Sequence, residues 1–182
     1  LLAASIGLEL DIPFPAIQDG LSKFSGVYRR FDLKGEAGGI TVYDDYAHHP
    51  TEIMATLEGF KDSAKRRIVT LFQPHLFSRT RDFYKEFGKS FFSCDCLILA
   101  PVYPAREQPI PGVSSKLIAD AAIQSGHHNV HLIESNSEIV SQTLALLKEG
   151  DILITMGAGN IWQYGEEILR QLKNYVDTNH KQ

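Results

Sequence analysis

A chain of 182 residues, 43% hydrophobic and 22% charged, has the size and composition of one globular domain with a single core. A net charge of −4 without a basic face argues against a general nucleic-acid binder, and no run approaches the ~18 apolar residues that span a bilayer. Cys94 and Cys96 make neither a disulfide framework nor a zinc motif, which fits a reducing cytoplasm, and the first residues lack the basic region of a signal peptide.

Residues 1–10 have a helical, apolar pattern with no initiator methionine and no cap, so the chain is expected to be cut from a longer protein. Pro13 and Pro15 punctuate this segment, and a short helix is predicted over 16–24. Residues 27–33 and 39–43 read as strands joined by a turn around Gly35, Gly38 and Gly39. A polar loop, Asp44 to Glu52, follows the second strand and precedes a helix carrying Ile53, Leu57 and Phe60.

The pattern then alternates. Strands are predicted at 67–72, 96–100, 130–133 and 151–156. Helices are predicted at 80–92, from a Ser114 cap to 125, at 137–148 ended by Gly150, and at 161–175. A proline-rich loop covers 101–112, and 176–182 is expected to fray. Strands alternating with helices of this length imply right-handed βαβ crossovers. The predicted fold is α/β, a Rossmann-like, mostly parallel sheet flanked by helices.

Chemistry concentrates where strands hand over to helices. Asp44, Asp45, Tyr46, His48 and His49 crowd one such loop, at the sheet edge where ligands bind in open α/β folds. Pro50 suits the first helical position and Glu52 suits the positive end of the helix dipole, so both read as structural. Asp44 and Asp45 alternate along an extended chain, which lets one be structural while the other reaches a ligand. The alternative is a polar loop that only caps its helix. His48 and His49 diverge and have no evident third partner for a metal ion.

The second loop, residues 73–81, reads Q-P-H-L-F-S-R-T-R. A helix start with Ser78 as its cap, plus Arg79, favours a carboxylate or phosphate; a solvated arginine pair is the plainer reading. Gly157-Ala158-Gly159-Asn160 follows the last strand, but Trp162 stands where a dinucleotide fingerprint needs its third glycine. Here a close-packed turn and a phosphate contact fit equally. Of Arg29 and Arg30, alternation lets only one face a given site. No GxxxxGK[ST] motif occurs, so ATP phosphates would need another domain.

The ordered motifs F-S-G-V-Y-R-R-F, D-D-Y-A-H-H-P-T-E, F-Q-P-H-L-F-S-R-T-R, V-Y-P-A-R-E-Q-P-I-P-G and G-A-G-N-I resemble the C-terminal domain of the Mur ligase family of peptidoglycan synthesis. The likeness runs from about Phe24 to Leu172. It implies ATP-dependent joining of L-alanine to UDP-N-acetylmuramate through an acyl phosphate, in a bacterial cytoplasm. Residues 1–12 would be the tail of a central ATPase domain, 13–176 the C-terminal domain and 177–182 a frayed tail.

The resemblance puts Arg30 and Asp45 at the nucleotide, with Tyr46, His48, His75 and Arg79 around the amino acid and the muramyl end. It assigns no catalytic residue and no metal ligand to this chain. Mg2+ and most of the ATP would be held by the central domain, so the fragment alone should be inactive. Partners would be the two substrates and the remaining domains, with neither nucleic acid nor membrane. Many relatives carry arginine at the position of Leu76; Arg81 or Arg106 would then supply that charge here. A murein-peptide ligase and a non-catalytic nucleotide-binding module are the rival readings.

Overall fold

A computed structural model describes residues 2–24 and 26–179. Two short helices, α1 (Leu2–Glu9) and α2 (Phe14–Ser22), pack on each other, with Gly7 buried against Ile17. A six-stranded sheet follows: β1 (Asp32–Ala37), β2 (Ile40–Asp45), β3 (Ile68–Phe72), β4 (Cys96–Leu99), β5 (Val130–Leu132) and β6 (Ile152–Met156). Its spatial order is β1-β2-β6-β3-β4-β5, with β1 antiparallel and the others parallel. β3, β4 and β6 are buried along their whole length, as strands covered on both faces must be.

The connecting helices split between the two faces. On one face α3 (Pro50–Ser63), α4 (Phe77–Ser90) and α5 (Lys116–Gln124) supply Ile53, Leu57, Phe60, Phe87 and Ile118 to a core with Ile68, Phe72, Leu97 and Ile154. On the other, α6 (Ile139–Leu146) and α7 (Ile161–Asn179) bring Ile139, Ile161 and Ile168 against Val42, Val69, Ile98 and Leu153. This alternation of inward side chains is the two-residue period of a strand read on both faces.

β6 lies between β2 and β3, so the chain leaves β3 toward β4 while α7 returns over β2 and β1. The crevice between the carboxyl ends of β3 and β6 is therefore a topological switch point. Register aligns Asp45, Met156, Phe72, Leu99 and Leu132 in one row, so the loops that follow them start at one level.

Several expectations shift. The first strand starts at Asp32, because Val27 to Arg30 closes a tight turn and Arg29 and Phe31 hold positive φ (58° and 48°). α4 begins at Phe77, so Ser78 lies in its first turn and Leu76 is the cap residue. Ser115 directly precedes α5 and its hydroxyl donates to the Ala100 carbonyl at 2.5 Å, while the expected Ser114 hydroxyl accepts from the Lys116 N–H at 3.3 Å and so does the capping. α6 stops at Leu146, before Gly150, and α7 runs on to Asn179, past the expected start of fraying at 176. The end of that tail, 180–182, lies outside the described residues.

Candidate functional site at the carboxyl edge of the sheet

The loop after β2 is built from its own side chains. His49 is the N-cap of α3 and its Nδ1 accepts from the Thr51 N–H at 3.4 Å; Pro50 takes the first helical position. The Glu52 carboxylate accepts from the backbone N–H of His48 (3.0 Å) and of His49 (3.2 Å), completing a capping box. The His48 amide and nearby charges from His48 and Arg30 hold the Glu52 carboxyl below its usual value, against the opposing effect of its burial. The structural reading of Pro50 and Glu52 holds.

Asp44 and Asp45 are both turned inward, at 0% and 1% exposure, so neither carboxylate is left free at the surface. Asp44 accepts from Arg29 Nε at 2.7 Å and from the Thr155 hydroxyl at 2.7 Å. Asp45 accepts from the N–H of Ala47 at 2.8 Å and of Phe31 at 3.0 Å. The alternation expected of an extended chain fails to expose one of them because the 27–31 turn folds over the strand end and supplies donors to both. Burial pushes the Asp45 carboxyl up, while these amides and Arg30, 3.7 Å away, pull it down.

The same turn separates the two arginines. Arg29 is buried, and besides Asp44 it donates to the carbonyls of Gly157 (2.6 Å) and Gly159 (3.3 Å). Arg30 stays half-exposed beside Glu52 at 3.4 Å. Both guanidinium groups lie over the Tyr46 ring, at 5.0 and 5.8 Å from its centroid.

The glycine turn after β6 is a close-packing device. A Cβ on Gly157, at φ 143°, would sit 2.7 Å from the Gln73 carbonyl oxygen. One on Gly159 would lie 2.5 Å from Gln73 Oε1 and 2.7 Å from Tyr103 Cγ. With two of its carbonyls turned toward Arg29, this loop is tied to β2 and pressed against β3.

The four rings at the sheet edge form a continuous row. Tyr46 meets His48 edge-on at 5.1 Å, His48 meets His75 at 6.2 Å, and His75 stacks on Tyr103 at 5.7 Å and 17°. His48 Nδ1 lies 3.0 Å from the Tyr46 carbonyl, whereas His49 turns away to the Phe83 ring; the two histidines do diverge. Burial, then the neighbouring Arg79 and His48, lower the His75 pKa, so its imidazole is neutral at neutral pH. Tyr103 belongs to the V-Y-P-A-R-E-Q-P-I-P-G stretch, whose sequence assigns it no place beside His75. It comes from the proline-rich loop and is held by a bridge to His75, with the Leu76 N–H donating to its carbonyl at 2.9 Å.

The start of α4 already holds an anion. The Glu107 carboxylate accepts from the Ser78 N–H at 2.9 Å and from the Ser78 hydroxyl, contacts that lower its pKa. Arg81 pairs with Asp82 at 2.7 Å, and Arg106 is exposed on the loop. Leu76 has φ 75° and ψ 134°, a conformation that non-glycine residues rarely adopt, at the bend between His75 and Arg79. Arg79 Nη1, His75 Nδ1 and Gln73 Oε1 are buried without a hydrogen-bond partner among the described residues. The structure thus brings Arg30, Tyr46, His48, His75 and Arg79 to one edge, with Asp45 beneath them. Among the described residues no group of three or more His, Cys, Asp or Glu is placed to hold a metal ion, and no helix is long and apolar enough to cross a membrane.

A doubly wound sheet with an antiparallel edge strand and a polar row at its switch point defines an α/β domain of the Rossmann-like class. Residues 29–159 match the family model described as Mur ligase, glutamate ligase domain, and the chain belongs to the Mur ligase family. It is 48% identical over 178 residues to the UDP-N-acetylmuramate–L-alanine ligase of Salinibacter ruber, covering 96% of this chain and 37% of that protein. The UDP-N-acetylmuramate-alanine ligase structure of Thermotoga maritima shares the fold at a TM-score of 0.75 and 23% identity, over 94% of this chain and 36% of that one. A murein peptide ligase from Psychrobacter arcticus superposes at a TM-score of 0.68 with 26% identity, over 87% and 32% of the two chains. The chain therefore spans about a third of the length of each of these three proteins.

Proposed function

We propose that this chain is the C-terminal domain of an ATP-dependent ligase that joins L-alanine to UDP-N-acetylmuramate in bacterial peptidoglycan synthesis, a cytoplasmic task. The observation that carries this reading is the 48% identity to an L-alanine ligase across 96% of the chain. The edge site agrees with it. Arg79 provides a fixed cation for the alanine carboxylate, and neutral His75 is an acceptor for the amine beside it. Tyr46 and His48 continue the same wall toward the muramyl end. Arg30, exposed above the buried Asp45, faces the nucleotide, and Asp45 holds both Arg30 and the Phe31 amide in place for it.

In this reading the muramyl carboxylate first takes the γ-phosphoryl group of ATP. The deprotonated alanine amine then forms the C–N bond, and the C–O bond to phosphate breaks, the electron pair leaving with phosphate. This domain's share is positioning and electrostatics, which supply most of the acceleration in phosphoryl chemistry. ATP phosphates and Mg2+ belong to the rest of the protein, since this chain carries no phosphate-binding loop and no cluster of metal ligands among the described residues. In this reading residues 1–12 are the end of a central ATPase domain, which fits the exposure of Leu2, Ile6, Leu8 and Leu10, and 13–176 the C-terminal domain.

In the intact enzyme, Arg79→Ala should raise the KM for L-alanine by the loss of a charge-assisted pair, on the order of 2–3 kcal/mol, with the KM for ATP little changed. An unchanged alanine KM removes Arg79 from the subsite. The likeness to a murein peptide ligase supports a second reading, in which the nucleophile is a preformed peptide. Phosphate release measured with L-alanine and with tripeptide separates the two, and a preference for tripeptide overturns the first.

A further inference from the structure

Five buried side-chain polar atoms lack a hydrogen-bond partner among the described residues, and three of them fall on residues 73–79: Gln73 Oε1, His75 Nδ1 and Arg79 Nη1. The other two are threonine hydroxyls, Thr70 and Thr143, which lie outside this segment. Unpaired buried polar atoms are uncommon because each costs folding free energy, and a cluster of them at a switch-point crevice is the pattern left where a ligand completes the set.

Gln73 is the member of this cluster that no role has absorbed. It follows β3 directly, its N–H donates to the Met156 carbonyl at 3.0 Å, and it is 2% exposed. Its carboxamide has room only because position 159 is glycine, and the same glycine admits the Tyr103 ring. Gly159 thus brings the carboxamide and the Tyr103–His75 stack together at the head of the β3–β6 crevice.

The chemistry of the cluster is complementary within a few residues. Arg79 is a donor with a fixed positive charge, Gln73 Oε1 is an acceptor, and His75 is a neutral ring able to accept. A zwitterionic amino acid presents the reverse pattern, a carboxylate next to an ammonium group. We infer that Gln73 is an amine-recognising residue of the amino-acid subsite: its carboxamide oxygen accepts an N–H of the incoming amine while Arg79 holds the carboxylate. This rests on the ligase reading above and adds to it the element that distinguishes an amino acid from a simple carboxylic acid. With one N–H taken by Gln73, the nitrogen lone pair is left free to point at the acyl carbon.

The test uses the full-length enzyme and propionate, which has the carboxylate of alanine and no amine, as a competitive probe. Gln73→Met keeps the side-chain length and removes the acceptor. The alanine KM should rise at least about tenfold, as expected for one hydrogen bond to a charged group, while inhibition by propionate and the KM values for ATP and UDP-sugar hold. The Tm should stay level or rise, because an unpaired acceptor is replaced by an apolar group. An unchanged alanine KM, or propionate inhibition weakened in step with alanine binding, overturns the proposal.

Should the methionine variant fail to fold, Gln73→Glu decides. A carboxylate there should lower the alanine KM and move the rate profile to higher pH by holding the ammonium form; an unmoved KM and profile overturn the proposal. Failure of the ligase reading is separate, since wild-type enzyme would then release no phosphate in response to L-alanine.

Discussion

Arg29 and Arg30 are neighbours in sequence and opposites in energetics. Arg29 is sealed between Asp44 and the Gly157 and Gly159 carbonyls, with every contact charge-assisted. Its replacement strands the Asp44 carboxylate in the interior with Thr155 as its remaining donor among the described residues. Arg29→Met should therefore cost about 3–5 kcal/mol in urea unfolding. Arg30→Met, at a half-exposed ion pair, should cost less than about 1 kcal/mol. Equal losses would show that Arg29 is not the clip between β2 and the glycine turn. Nothing in the residue order says which arginine turns inward. The choice is made by positive φ at Arg29 and Phe31, which the sequence does not mark with glycine.

At the scale of elements, α4 and α5 meet so closely that a Cβ on Gly88 would lie 2.6 Å from the Ala121 carbonyl carbon. Gly88→Ala should destabilise the domain by about 1–3 kcal/mol through overpacking, read as a fall in Tm. Gly20, inside α2 with open space around it, is the control; alanine there should stabilise by roughly 0.5–1 kcal/mol. The alternation of strands and helices was legible in the chain because β3, β4 and β6 are apolar runs interrupted only by Thr70 and Thr155, and α4 repeats Phe83 and Phe87 on one face. The loops that form the candidate site were legible as well, as polar stretches directly after β2 and β3. The contacts that finish the site were hidden by distance. Glu107 reaches Ser78 across 29 residues, and Tyr103 reaches His75 from a loop with no periodicity to read. His49 hid for another reason: histidine is an unusual N-cap.

Across the whole molecule, acid should weaken the fold through buried imidazoles. His75 and His127 both have pKa values lowered from 6.5, with burial the largest cause. The unfolded chain then takes up protons that the folded one refuses, so their contribution is full above about pH 6.5 and is lost as the pH falls through the lower folded values. Denaturant unfolding measured at pH 7 and pH 5 should show this loss, and His75→Gln should make the slope shallower. An unchanged slope would mean that His75 is not held neutral. Asp45 acts with the opposite sign, since its pKa is raised and protonation favours the folded state, but at lower pH.

The Glu107 carboxylate at the start of α4 has a consequence for which anions the edge admits. A helix of 14 residues would ordinarily offer its first-turn amides to a phosphate, yet here the Ser78 amide and hydroxyl are already spoken for. A second anion arriving at this turn meets a resident carboxylate in place of free donors. The first turn of α4 is thus neutralised from within, so an external phosphate gains less from this helix start than from one whose amides are free.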